Sequence, residues 1–152
     1  MRFVADVMLK KLARWMRMLG YSVLFGEIDD TKLLEKSKNA SLLTRDVELS
    51  KRAKKRGIKY LLIESKDIDE QLVQVFSELK LKMDFPKETR CPVCNRKLKL
   101  ATRKEVNVPD DVKSKRFWKC VCGKVYWEGS HWLRIRERVK HLRSVLKLNQ
   151  PN

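Results

Sequence analysis

Two groups of residues in this 152-residue chain have types and spacings that could do chemistry. The first is its four cysteines, which fall as Cys91-x-x-Cys94 and Cys120-x-Cys122. Two close thiol pairs suit a tetrahedral zinc site or disulfides. The first pair has the spacing of a zinc knuckle, with Asn95 at its turn. The opening MRFVADVMLKK lacks the apolar core and cleavage site of a secretory signal, so a reducing, cytoplasmic setting is expected and stable disulfides are disfavoured. Zn2+ held by Cys91, Cys94, Cys120 and Cys122 would be structural, substituting for a core. The second pair is one residue tighter than usual. His131 replacing one of its thiolates, or a ribbon without metal, therefore stay open as readings.

The second group is acidic: Asp6, Glu27, Asp29, Asp30, Asp46 and Asp67. The elements around them decide whether they meet. Residues 2–5, 21–25, 40–43 and 59–63 are short apolar runs that read as strands. Residues 7–19, 31–38 and 47–56 read as helices, as does a segment opened by Asp67 or Asp69 and running to residue 79. Leu9, Leu12, Met16 and Leu19 line one helical face, and Gly20 sits where a C′ glycine belongs. Strands alternating with helices imply a parallel sheet covered on both faces, because parallel strands need crossover helices. Ligands of such sheets bind outside the carboxyl ends of the strands. Asp6, Asp29 or Asp30, Asp46 and Asp67 follow successive strands onto that rim. Gathered carboxylates repel unless a hard cation such as Mg2+ or Mn2+ neutralises them. Two such ions about 3.5–4 Å apart would suit phosphodiester hydrolysis. Asp6, Asp30, Asp46 and Asp67 would equally serve as helix N-caps, and both readings stay open.

Charge narrows the partner. The chain carries 36 Lys and Arg against 19 Asp and Glu, a formal net charge of +17. Residues 1–84 hold +5 of it and residues 85–152 hold +12. Nucleic acid is the first polyanion to expect, an anionic membrane surface the second. No run approaches the roughly 20 apolar residues of a membrane span, and no internal repeat occurs. Arg14, Arg17, Lys51, Arg52, Arg136 and Lys140 are the candidate phosphate contacts, and Tyr126 and Trp127 the candidate base-stacking surface. Trp118 and Trp132 read instead as filling for a small core, His131 as a structural hydrogen-bonder and His141 as surface. Near residues 83–88 the texture turns from alternating strands and helices to turn-rich. The expected division is an α/β unit over 1–84 and a basic, ribbon-like unit over 85–152. The latter closes with a helix at 132–148 whose apolar face is Trp132, Ile135, Val139, Leu142 and Leu146.

The blocks VADVMLKKLARWMRMLGY, LLTRDVELSKRAKKRG, CPVCN and FWKCVCGKVYWEGSHW, in that order across residues 2–133, resemble the Mut-seven C-terminal RNase domain family. The resemblance implies a PIN-like three-layer α/β/α fold with a parallel sheet, a fused C-terminal zinc ribbon and a metal-dependent ribonuclease site. Asp6 matches the family's first-strand aspartate and Asp46 the aspartate of the TRD block. Asp29 and Asp30 match its acidic stretch, and Asp67 matches more loosely. The family pattern has two residues between the later cysteines, where this chain has one. The expected activity is divalent-metal-dependent hydrolysis of RNA, with tRNA, rRNA or the ribosome as candidate partners. The rival is a non-catalytic RNA- or ribosome-binding protein that keeps the fold.

Overall fold

The computed structural model describes residues 1–26 and 29–148, with the side chain of residue 148 left aside. Its first sheet is formed by β1 (Arg2–Ala5), β2 (Ser22–Leu24), β3 (Ser41–Thr44) and β4 (Tyr60–Leu62) in the order β2-β1-β3-β4. Every pairing is parallel, with Val4 opposite Leu24 on one side and Leu42 on the other. Five helices accompany the strands: α1 (Lys10–Met18), α2 (Asp30–Lys36), α3 (Val47–Lys55), α4 (Ile68–Glu78) and α5 (Ser130–Leu148).

The alternation of side chains along a strand explains the three layers. Phe3 and Ala5 enter one core with Leu12 and Met16 of α1 and Leu72, Val75 and Phe76 of α4. Val4 points the other way, with Leu42, to Leu33 and Leu34 of α2 and Leu49 and Ala53 of α3. Strands buried on both faces read as continuous apolar runs, which is why they were visible in the sequence. The helix expected at 7–19 begins instead as a 3₁₀ turn, Val7–Leu9, because the Asp6 carboxylate accepts a bond from Met8 N two residues on. Gly20 ends the helix at φ 97°, and a Cβ there would stand 3.3 Å from the Glu88 carbonyl. Glycine thus serves both the turn and the close approach of a second segment.

That second segment forms a small antiparallel sheet of β5 (Lys99–Ala101), β6 (Phe117–Lys119) and β7 (Val125–Trp127). Trp118 stacks on Trp132 at 4.7 Å, and Trp132 meets Phe85 at 4.6 Å. Both tryptophans are buried, in keeping with a core role. Ile135, Val139 and Leu142 of α5 enter the core that holds α1 and α4. The chain beyond residue 84 therefore completes the first layer as well as building its own sheet.

Two side chains fasten the small sheet's knuckle to β2, an edge strand. Val23 N–H donates to Asn95 Oδ1 at 3.1 Å. The Val23 carbonyl accepts from Arg17 Nε and Nη2 at 2.9 and 2.7 Å. Arg17 Nη1 also donates to the Pro92 carbonyl at 2.8 Å. An open strand edge is a template for unwanted pairing, and here the knuckle fills it.

Candidate functional site

The strand order reverses between β1 and β3, since β2 lies beyond β1 and β4 beyond β3. A parallel sheet opens a crevice at that point, outside the carboxyl ends of its strands. Asp6 leaves β1 there and Asp46 follows β3. Asp6 is only 7 % exposed. Its Oδ1 accepts from Met8 N–H at 2.9 Å, and its Oδ2 accepts from the Thr44 hydroxyl and from Arg45 N–H at 3.0 Å. The Thr44 hydroxyl in turn accepts from Asp46 N–H at 2.9 Å. One buried hydroxyl therefore ties the Asp6 carboxylate to the Asp46 backbone. Asp46 Oδ1 caps α3 by accepting from Leu49 N–H at 3.1 Å. A carboxylate offers about four lone-pair sites, so capping leaves both aspartates with acceptor capacity.

The capping reading holds at Asp6, Asp46 and Asp67, each of which caps the helical turn that follows, and fails at Asp30, whose place is taken by Asp29. The cap of α2 is Asp29, while Asp30 opens the helix and pairs with Arg52 of α3 at 3.5 Å. Asp29 and Asp30 stand beyond edge strand β2, and Asp67 stands beyond the opposite edge strand, β4. The rim thus has a central pair, Asp6 and Asp46, with outer carboxylates to either side. Glu27 lies outside the described residues. Among the described residues, the one group of three or more potential ligands gathered around a common point is the four cysteines.

Those four thiols lie within 4.8 Å of one another. Cys91 Sγ is 3.8 Å from Cys122 Sγ, and Cys94 Sγ is 3.2 Å from Cys120 Sγ. A tetrahedron of sulfurs at Zn–S of about 2.3 Å has edges of about 3.8 Å. The shortened second pair still delivers both thiols, and His131 is not part of the group. Asn95 and Gly123 take the left-handed conformation, at φ 70° and 95°, that turns the chain after each pair. Burial raises the Cys91 thiol, but the Tyr126 hydroxyl at 3.1 Å and the backbone N–H groups of Cys94 and Val93 outweigh it and hold its pKa at about 7. Burial pushes the Cys120 thiol up to about 12. The four cysteines could hold a zinc ion, and a four-thiolate donor set would make a closed site of the structural kind.

The candidate RNA contacts divide. Arg14, Lys51, Arg136 and Lys140 are exposed, and Arg52, Tyr126 and Trp127 are partly buried. Arg17 corrects the expectation for it: it is 6 % exposed and spends its guanidinium on backbone carbonyls. Burial lowers its pKa, while nearby Cys91 and Cys94 act in the opposite sense. The Tyr126 hydroxyl faces Cys91. Sequence reasoning missed Thr44, whose place between strand β3 and Asp46 in the TRD block was the available signal. It also missed the Arg17 clamp, for which spacing gives no signal. Among the described residues, no helix is long and apolar enough to cross a membrane.

No curated protein and no solved structure matches the chain. The Mut7-C RNAse domain matches residues 1–139. That match takes in the rim, the cysteine cluster and the first half of α5, and the chain belongs to the Mut7-C RNAse domain family.

Proposed function

We propose that the chain is a divalent-metal-dependent ribonuclease that acts at the Asp6–Thr44–Asp46 rim. The observation that carries this reading is the pair of aspartates at the point of strand-order reversal, joined through one buried hydroxyl. Mg2+ favours one or two carboxylates, several waters and substrate phosphate over an all-protein cage. Two aspartates with spare oxygen lone pairs fit that demand, and Asp6 and Asp46 would hold the ion. Bound there, Mg2+ or Mn2+ would offset phosphate charge and make a water acidic enough to attack phosphorus.

The chain's own residues prepare the site. Thr44 and Arg45 N–H fix the Asp6 carboxylate against rotation. The exposed Lys51 and the partly exposed Arg52, both about one and a half turns along α3 from Asp46, offset the rim's negative charge as a phosphodiester approaches. The exposed side chains of Val7, Met8 and Val47 border the two aspartates and give a base or ribose an apolar surface.

The test uses Asp46→Asn. Asn caps a helix about as well as Asp, so this variant keeps α3 while removing the charge. Cleavage of single-stranded RNA in Mg2+ or Mn2+ should fall to the level seen with chelator. Thr44→Val should lower it about 10–100-fold, as for other residues that orient metal ligands. A second reading, RNA binding without hydrolysis, draws on the absence, among the described residues, of three carboxylates around one point. Turnover equal to wild type in Asp46→Asn would overturn the assignment of hydrolysis to this rim, and no turnover in wild type with either metal would replace the nuclease reading with RNA binding alone.

A further inference from the structure

A groove of about 1170 Å3 runs between α5 and the segment that follows α4. Phe76, in its wall, meets the ring of Tyr21 at the amino end of β2. Leu79, three residues on, shares a cavity with Ser41 and Tyr60 at the amino ends of β3 and β4. That end of the groove therefore lies near the end of the sheet opposite the carboxylates, while Arg138, next to Val139 in its wall, reaches Asp69 at the start of α4.

Its lining joins two properties. Lys80, Lys82, Arg136, Lys140, Arg143 and Lys147 line it, against a single acid, Asp84. All six are exposed. Among the described residues, only Arg136 of these has an ion-pair partner, Glu128 at 3.9 Å. The four cations of α5 recur at i, i+4, i+7 and i+11, one stripe about 16 Å long. The floor is apolar, with Met83 and Val139 buried and Phe85 and Leu146 half-buried.

We infer that this groove is a second RNA-binding site, one that holds a single-stranded segment by its phosphates while bases rest on the apolar floor. Charge complementarity selects a polyanion. The floor favours unpaired bases over a duplex, whose bases are already stacked and whose outer surface is sugar and phosphate. The inference rests on the reading that RNA is the substrate, but not on hydrolysis at the rim. A site separate from Asp6 and Asp46 would hold a strand whose cleaved part passes the carboxylates.

The experiment measures binding of the 152-residue chain, purified with zinc in the buffer, to a fluorescent 20-nucleotide oligouridylate across a salt series, without added Mg2+ or Mn2+. Cleavage at the rim is then silent, and failure of the groove is distinct from failure of the nuclease reading. The variant Arg136→Gln/Lys140→Gln/Arg143→Gln/Lys147→Gln removes the stripe. The control Lys97→Gln/Lys99→Gln/Lys104→Gln/Lys113→Gln removes the same charge from exposed positions outside the groove. Each lost phosphate contact should flatten the slope of log affinity against log salt by about 0.7, or about 3 for the four. That corresponds to affinity about 10²–10³-fold weaker at 0.1 M salt if all four contacts are made. The control should lose far less. Equal losses in the two variants would mean diffuse attraction and overturn the inference. So would unchanged RNA binding in the stripe variant together with lost binding to phosphatidylserine vesicles, which would assign the groove to a membrane surface. Tighter binding of a duplex than of oligouridylate would overturn the single-strand assignment.

Discussion

Replacing Arg17 with Met tests whether the cysteine-bearing segment is fastened to the α/β layers or merely tethered to them. Met keeps most of the apolar stem and deletes the guanidinium. The wild-type group makes four bonds to three backbone carbonyls: two to Val23, one to Pro92 and a longer one of 3.3 Å to Val93. A buried acceptor left without a donor costs about 1–3 kcal/mol. Water reaching the more open knuckle carbonyls would recover part of this. With three carbonyls losing their donor and water recovering part of the loss at the knuckle, the net loss should be about 3–5 kcal/mol. With a urea dependence of about 2 kcal/mol per M, the midpoint should fall by about 1.5–2.5 M. The assay is urea unfolding followed by tryptophan fluorescence with zinc present, analysed for midpoint and slope. Arg17→Lys should recover less than half of the loss, because one ammonium cannot reproduce a fork that grips Val23 with two nitrogens. RNA affinity of the still-folded variant should match wild type, since the side chain is buried. A loss under about 1 kcal/mol, set against the costs above, would refute the clamp.

Zinc removal should release the knuckles and, with them, the cover over β2. After chelation the chain should lose the ordered signal of β5–β7 and sediment as larger species, whereas zinc measured at one per chain before chelation and a monodisperse apo-protein after it would refute the coupling.

Much of the first layer was legible because its signals are local. The runs at 2–5 and 40–43 became β1 and β3 within a residue, since strands buried on both faces need uninterrupted apolar side chains. Asp46 and Gly57 bracket α3 by ordinary cap chemistry. The acidic rim was legible as a row but not as a geometry. Spacing placed Asp6, Asp29, Asp46 and Asp67 after successive strands, yet sheet order makes neighbours of only the central two. Asp29 rather than Asp30 took the α2 cap because its extended backbone lets the carboxylate reach Lys32 N–H. Arg17 shows the limit most clearly. On the helical repeat it belongs to the stripe of Lys10 and Arg14, and only tertiary docking of residues 90–95 turns that position inward.

The same docking bears on where the molecule divides. Composition breaks near residue 84, but burial does not. Without α5, the layer of α1 and α4 would expose the surface now covered by Ile135, Val139 and Leu142. At about 1.5–3 kcal/mol for each large apolar side chain, that is roughly 5–9 kcal/mol. A domain of this size has about 5–15 kcal/mol in total. Cutting at residue 84 would also strip Asn95 from Val23 and the knuckle carbonyls from Arg17, leaving that cation with only the Val23 carbonyl beside an open strand edge. The opposite edge needs no such help, because Gln74 of α4 bonds the Leu62 carbonyl and Glu64 N–H of β4's own margin. One edge is closed from within the α/β layers and the other from the ribbon. The ribbon is thus the fourth side of the sheet's enclosure, and the α/β layers reach full burial only when the chain has been made through α5.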